Sequence, residues 1–261
     1  MQLWLPIAAS FIYLLSAYLF LRVNRGEFSA LWALGVMVLA CQIHAAVLIM
    51  QVSAGEVINL SIFNVISIYG WGVACLSVIW LWRAQLALAG VMICLLNAVL
   101  VGLPLVFHAE KPFLANLEQG MLWHILSSIA AWVVLSVALI NALLYGWLFQ
   151  RLKQKQLTRN NVISLVGLER MMMWLTAIGV CLLGLSLFSG WLFVDDLFAQ
   201  HLWHKTVLTI IAWLVYSWLC FAYFIGHQRG MKIVLINALG YTLLLAGYVV
   251  SNVILQFVIR A

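Results

Sequence analysis

The chain has 261 residues, of which 67% are hydrophobic and only 8% charged, far from the roughly 45–50% apolar and 25% charged of a soluble domain. Water cannot be the solvent for most of such a surface, so a soluble domain is excluded. The formal charge of +6 does not indicate nucleic acid, because the basic residues sort by connection rather than pooling into one patch.

A hydrocarbon core of roughly 30 Å takes about 20 apolar residues per helix, and polar interruptions recur at about that spacing along the whole chain. The first predicted span, 4–23, lacks a basic leading region and exceeds the apolar length of a secretory signal, so it is expected to be retained. The second, 30–51, carries His44 about two thirds of the way along. Spans 60–82 and 84–107 follow, and then a connection, His108–Gln119, that contains Pro112. Asn116 with Gln119 three positions later is a capping-box pattern for the fifth span, 118–149, which places His124 near its start. A basic, polar connection over Arg151–Glu169 leads to span 170–194. After it, Asp195 and Asp196 open a segment in which Leu197, His201, His204 and Leu208 share one helical stripe, as expected of a helix lying along the interface. The last spans are 204–226 and 232–258. Continuous runs of this length indicate helices rather than the alternating segments of a barrel. The expected fold is an all-α polytopic bundle of eight transmembrane helices, forming a single membrane domain over 1–261.

Arg22, Arg25, Arg83, Arg151, Lys153, Lys155, Arg159, Arg170, Arg229 and Lys232 fall in the odd-numbered connections, against Lys111, Lys205 and Arg260 on the other side. The positive-inside rule then places both termini outside. No Asp, Glu, Lys or Arg sits near the middle of a span, which weighs against an ion-coupled permease. Cys41, Cys75, Cys94, Cys181 and Cys220 all lie within spans and no two are spaced C-x-x-C, which weighs against a thiol–disulfide carrier and for small packing residues.

Histidine is what remains for chemistry. His44, His108, His124, His201 and His204 fall in the outer half of the membrane or on its outer face, and only His227 is on the inner side. A neutral imidazole is a good axial ligand for haem iron, and two imidazoles from separate helices would complete a six-coordinate site. The plainer alternative is that a membrane histidine hydrogen-bonds a neighbouring helix. Trp71 and Trp203 are candidates to stack on a porphyrin, whereas Trp82, Trp147 and Trp191 fit interfacial belts.

The run QHLWHKTVLTIIAWLVY over Gln200–Tyr216 resembles the haem-handling segment of the cytochrome c assembly family, with Lys205 and Ile211–Tyr216 fitting well. Leu168–Arg170, the helix end SGWLFVDD, Leu122–Ser128, Gly226–Lys232, His44 and the stretch Asn64–Trp71 extend the likeness over nearly the whole chain. The chain resembles in particular the short eight-helix branch of YpjD-type inner-membrane proteins, related to the HemX group. Only Trp203 remains of the family's tryptophan-rich signature, His204 stands in the place of its proline, and the second external histidine has no counterpart. The resemblance implies haem b as cofactor, held by His124 with His204 or His44 as substitute ligands, His124 and His204 binding iron and Trp71 and Trp203 packing on the ring. It also implies a multi-pass protein of the bacterial inner membrane. Its partners would be haem, the lipid bilayer and another membrane protein of cytochrome assembly or haem metabolism, and its role coordination and presentation at the periplasmic side rather than enzymatic catalysis. The alternative is an accessory or regulatory membrane protein that keeps the fold without haem.

Overall fold

The computed structural model of the chain describes residues 4–54, 57–59, 61–81, 86–106, 114–115, 119–154, 165–193 and 203–257. Among them run α1 (Trp4–Asn24), α2 (Ala30–Val52), α3 (Ile62–Leu81), α4 (Ala87–Leu100), α5 (Leu103–Val106), α6 (Gln119–Lys153), α7 (Leu165–Phe193), α8 (Trp203–Phe224) and α9 (Met231–Phe257). Eight of the resulting segments are long and apolar enough to cross a membrane, with α4 and α5 together making the fourth. The all-helical, eight-span architecture expected from the sequence is therefore present.

Three local features differ from that expectation. The fourth span is not continuous: it breaks at Val101–Gly102, where Gly102 N–H turns to the Val99 carbonyl at 3.1 Å. Pro104 explains the break, because it lacks an N–H and its ring would clash with the carbonyl four residues earlier. Secondly, α6 runs on to Lys153 and α7 begins at Leu165, so Arg151, Lys153, Glu169 and Arg170 are in helix ends rather than in a connection. Cations in the last turn of α6 complement the helix dipole, and the Arg151 guanidinium packs over the Trp147 ring, 4.3 Å from its centroid. Thirdly, a small antiparallel sheet is present, made of β1 (Ser53–Ala54), β2 (Val57–Asn59) and β3 (Leu114–Ala115) in the order β1-β2-β3. Ser53 pairs with Ile58, and Asn59 with Leu114.

The chain forms two compact units, Met1–Asn116 and Leu117–Ala261. In the first, α1 packs on α2 and α4, and α3 packs on both α2 and α4. Small residues let these helices approach, as expected where lipid offers no hydrophobic drive for association: Ala9, Ala33, Ala40, Ala74 and Ala89 are fully buried, and Gly90 lies flat against the Phe20 ring. In the second unit the same ring of neighbours recurs, α6 on α7, α7 on α8, α8 on α9 and α9 on α6. Gly179 receives Leu135, and Gly240 receives the Tyr216 ring. Large apolar side chains such as Phe11, Trp32, Ile79, Trp174, Trp191 and Trp218 are left on the outside of their helices, the distribution a lipid solvent favours.

Candidate functional site

The histidines separate between the units. His44 lies on α2 of the first. His124 on α6, His204 on α8 and His227 in the α8–α9 connection belong to the second. His108 and His201, and the interfacial stripe through Leu197, lie outside the described residues, as does the Asn116 cap of α6. The backbone of His204 is placed in the first turn of α8, while its side chain is outside the described set.

His124 sits one and a half turns into α6, half-buried against the end of α7. Its Nδ1 lies 2.9 Å from the Ser186 carbonyl oxygen and 3.4 Å from Ser189 Oγ. A carbonyl only accepts, so the shorter contact requires the proton on Nδ1. Nε2 then carries the lone pair, and it makes no hydrogen bond to any described residue. Serines build the surroundings. Ser128 Oγ is 2.6 Å from Ser186 Oγ, Ser189 Oγ donates to the Ser186 carbonyl at 3.0 Å, and Ser127 and Ser128 donate to the His124 carbonyl at 3.1 and 2.7 Å. Small hydroxyl residues on both helices allow the close approach and satisfy their own polar atoms locally. One turn before His124, Gly120 receives the Phe193 ring. On α8, exposed Trp203 and Lys205 flank His204, and the Lys205 charge is within electrostatic reach of the His124 ring.

His44 has a different environment. It is fully buried and both ring nitrogens are engaged. Tyr13 O–H donates to Cys41 Sγ at 3.6 Å, so the Tyr13 oxygen accepts from His44 Nδ1, 3.2 Å away. Ser67 Oγ, at 2.9 Å, then donates to Nε2. The imidazole thus ties α1, α2 and α3 together, and Trp71 reinforces the joint by donating Nε1–H to the Cys41 carbonyl at 3.0 Å.

A third polar centre, which the sequence reading did not single out, joins α7 to the α8–α9 connection. Glu169 is 7% exposed, pairs with Arg229 Nε at 3.3 Å and accepts the Gly230 N–H at 3.4 Å. The Arg229 guanidinium lies 3.8 Å from the Tyr223 ring centroid. The connection reverses through His227 at φ 51° and Gly230 at φ 83°, a left-handed conformation that suits the glycine. Among the described residues, no three His, Cys, Asp or Glu side chains are grouped to hold a metal ion by themselves.

The model of the family described as "Cytochrome C assembly protein" matches residues 27–259. Inner membrane protein YpjD of Escherichia coli (strain K12) is 33% identical over 162 residues, which is 61% of this chain and 62% of the relative. The proteins of that name from Escherichia coli O6:H1 and O157:H7 give the same figures. The chain thus spans about 62% of the length of the curated relatives it matches. No solved structure matches it.

Proposed function

Because the chain belongs to the cytochrome c assembly protein family and is a multi-pass inner-membrane protein, we propose that its second unit binds haem where α6 begins and α7 ends, and presents it there for cytochrome c maturation or haem export. The charge asymmetry of the connections supports the periplasmic face for that end.

The observation that carries this reading is the contact of His124 Nδ1 with the Ser186 carbonyl. Histidines that bind metals through one nitrogen commonly donate the other N–H to a backbone carbonyl, which fixes the tautomer and the ring orientation. His124 has that arrangement, with Nε2 left as the ligand atom. With haem bound, His204, whose backbone lies in the first turn of α8, would be the partner ligand, Trp203 would pack on the porphyrin and Lys205 would offer a cation to its carboxylates. Haem, when bound, would supply an iron that imidazole ligands suit. The chain's own part is to hold the His124 ring by Ser186, to stiffen Ser186 through Ser128 and Ser189, and to place a cation beside an anionic ligand. This is coordination and presentation, with no bond-making step. His44, with both nitrogens engaged, serves the first unit as a hydrogen-bonding tie.

Detergent-purified protein should give a positive pyridine haemochrome with a b-type band. His124→Ala should lose most of the haem while keeping the helical circular dichroism of the wild type. Colourless wild type that takes up no added haemin would overturn the proposal.

A further inference from the structure

At the end of the second unit opposite His124, charge is not balanced within the chain. Glu169 is the only acidic side chain among the described residues of that unit, and it is already engaged by Arg229 Nε at 3.3 Å and by the Gly230 N–H at 3.4 Å. Arg170, the next residue, is exposed and has no hydrogen bond or ion pair to a described residue. Its charge is left for something outside the chain.

The register of α7 and α8 fixes where that charge stands. The two helices run antiparallel, with Trp213 Nε1–H donating to the Val180 carbonyl at 3.1 Å and the same ring lying on Gly184. Nearer the start of α7, Trp174 meets Phe224 edge to face, ring centroids 5.5 Å apart. Arg170 lies one turn before Trp174 on the same helix face, so it comes level with the end of α8 and the connection that carries Arg229. The Arg229 guanidinium rests 3.8 Å from the Tyr223 ring centroid, and its side chain is still 51% exposed. Two arginines therefore stand at the mouth of the α7–α8 seam. Below them, towards the middle of the span, Trp174 and Phe224 form an exposed aromatic floor.

Guanidinium groups suit phosphate oxygens in geometry and charge, and exposed aromatic rings at a span end suit the boundary between headgroups and hydrocarbon. A phospholipid meets both requirements, with its phosphate at the arginines and its acyl chains along Trp174 and Phe224. A zwitterionic headgroup would bring an ammonium as well, and Glu169, the acid that could receive it, is taken by Arg229. We infer that this end of the α7–α8 seam binds a phospholipid of net negative charge, its phosphate held by Arg170 and Arg229. The inference rests on contacts within the second unit and does not depend on haem binding.

The test is native mass spectrometry of the full chain, delipidated in detergent and titrated with dioleoyl phosphatidylglycerol or dioleoyl phosphatidylcholine. The wild type should take up phosphatidylglycerol at the lower concentration. Arg170→Gln should weaken that uptake about fivefold, the worth of one basic residue near an anionic lipid surface. Arg151→Gln removes the same charge from the same end of the unit, but from a guanidinium stacked on Trp147, and should leave uptake unchanged. An excess of inorganic phosphate should not displace the lipid, because it has no apolar part for the aromatic floor. Equal uptake of the two lipids by the wild type would overturn the inference, whether or not a variant folds. Equal weakening by Arg170→Gln and Arg151→Gln would reduce the site to the general charge of that face and overturn it. Displacement by phosphate would overturn the lipid as its occupant.

Discussion

Arg229→Ala tests how the second unit is closed at the end opposite His124. Glu169 has a side-chain exposure of 10% and Arg229 one of 51%, so the pair is neither fully buried nor free in solvent. Removing one partner of a fully buried pair costs about 3–5 kcal/mol, while an exposed pair contributes at most about 1 kcal/mol. The Gly230 N–H stays on Glu169 Oε2 and softens the loss. The expected cost is therefore about 2 kcal/mol, between those limits. Arg229→Lys should recover little of it, because an ammonium cannot point Nε at Glu169, reach the Tyr223 carbonyl from Nη1 and lie over the Tyr223 ring together. The measurement is a double-mutant cycle with Glu169→Gln, read by chemical denaturation in detergent. A coupling of about 1–2 kcal/mol is expected for groups in direct contact. Additive single-mutant costs would show that the contact does not stabilise the unit, and the closure would then have to be assigned to packing alone.

His44→Leu should destabilise the first unit by about 1–3 kcal/mol, since it deprives Ser67 Oγ and the Tyr13 oxygen of a buried partner. Removal of His44 together with Ser67 should cost less than the sum of the two, and strict additivity in thermal unfolding would count against the tie. Gly90→Ala should cost about 1–3 kcal/mol by overpacking, because the new Cβ would stand 2.8 Å from Cγ and Cδ2 of the fully buried Phe20. Phe20→Leu in the same chain should recover part of that cost, and a Gly90→Ala protein as stable as wild type would refute the close approach.

The spans were legible because each is a continuous apolar run bounded by charge, and a lipid solvent leaves few other ways to pair the backbone. The break in the fourth span, expected as unbroken over 84–107, went unread although Pro104 causes it, because the apolar run on either side masks the consequence. The ends of α6 and α7 were harder to place. Charge marks where hydrocarbon stops, not where a helix stops, and Arg151 and Glu169 lie on helical turns beyond that limit. Strands of two or three residues such as β1 and β3 carry no periodicity to read. What sequence could not supply was partners across helices. Nothing along the chain relates His44 to Tyr13 and Ser67 or Glu169 to Arg229, because helix rotation and register decide these pairs. The resemblance quoted both Leu168–Arg170 and Gly226–Lys232, and only the fold shows that the two stretches hold each other.

The two histidines that share a composition argument part company on hydrogen bonding alone. An imidazole has two nitrogens, one proton and one lone pair when neutral, so each neighbour that accepts or donates removes one of its options. At His44 both options are used, by a tyrosine and a serine on two other helices, and the ring becomes a structural joint with a donor path towards Cys41. At His124 a backbone carbonyl takes the proton and leaves the lone pair, which is the condition a metal ligand must meet. That carbonyl comes from the turn of α7 that carries Ser186, Ser189 and Gly190. Bulk at Ser186 or Ser189, which face His124 and Ser128, would push α6 away and release the ring. The serine-rich approach of the two helices, more than the number of histidines, is thus what separates the proposed ligand His124 from the tie His44.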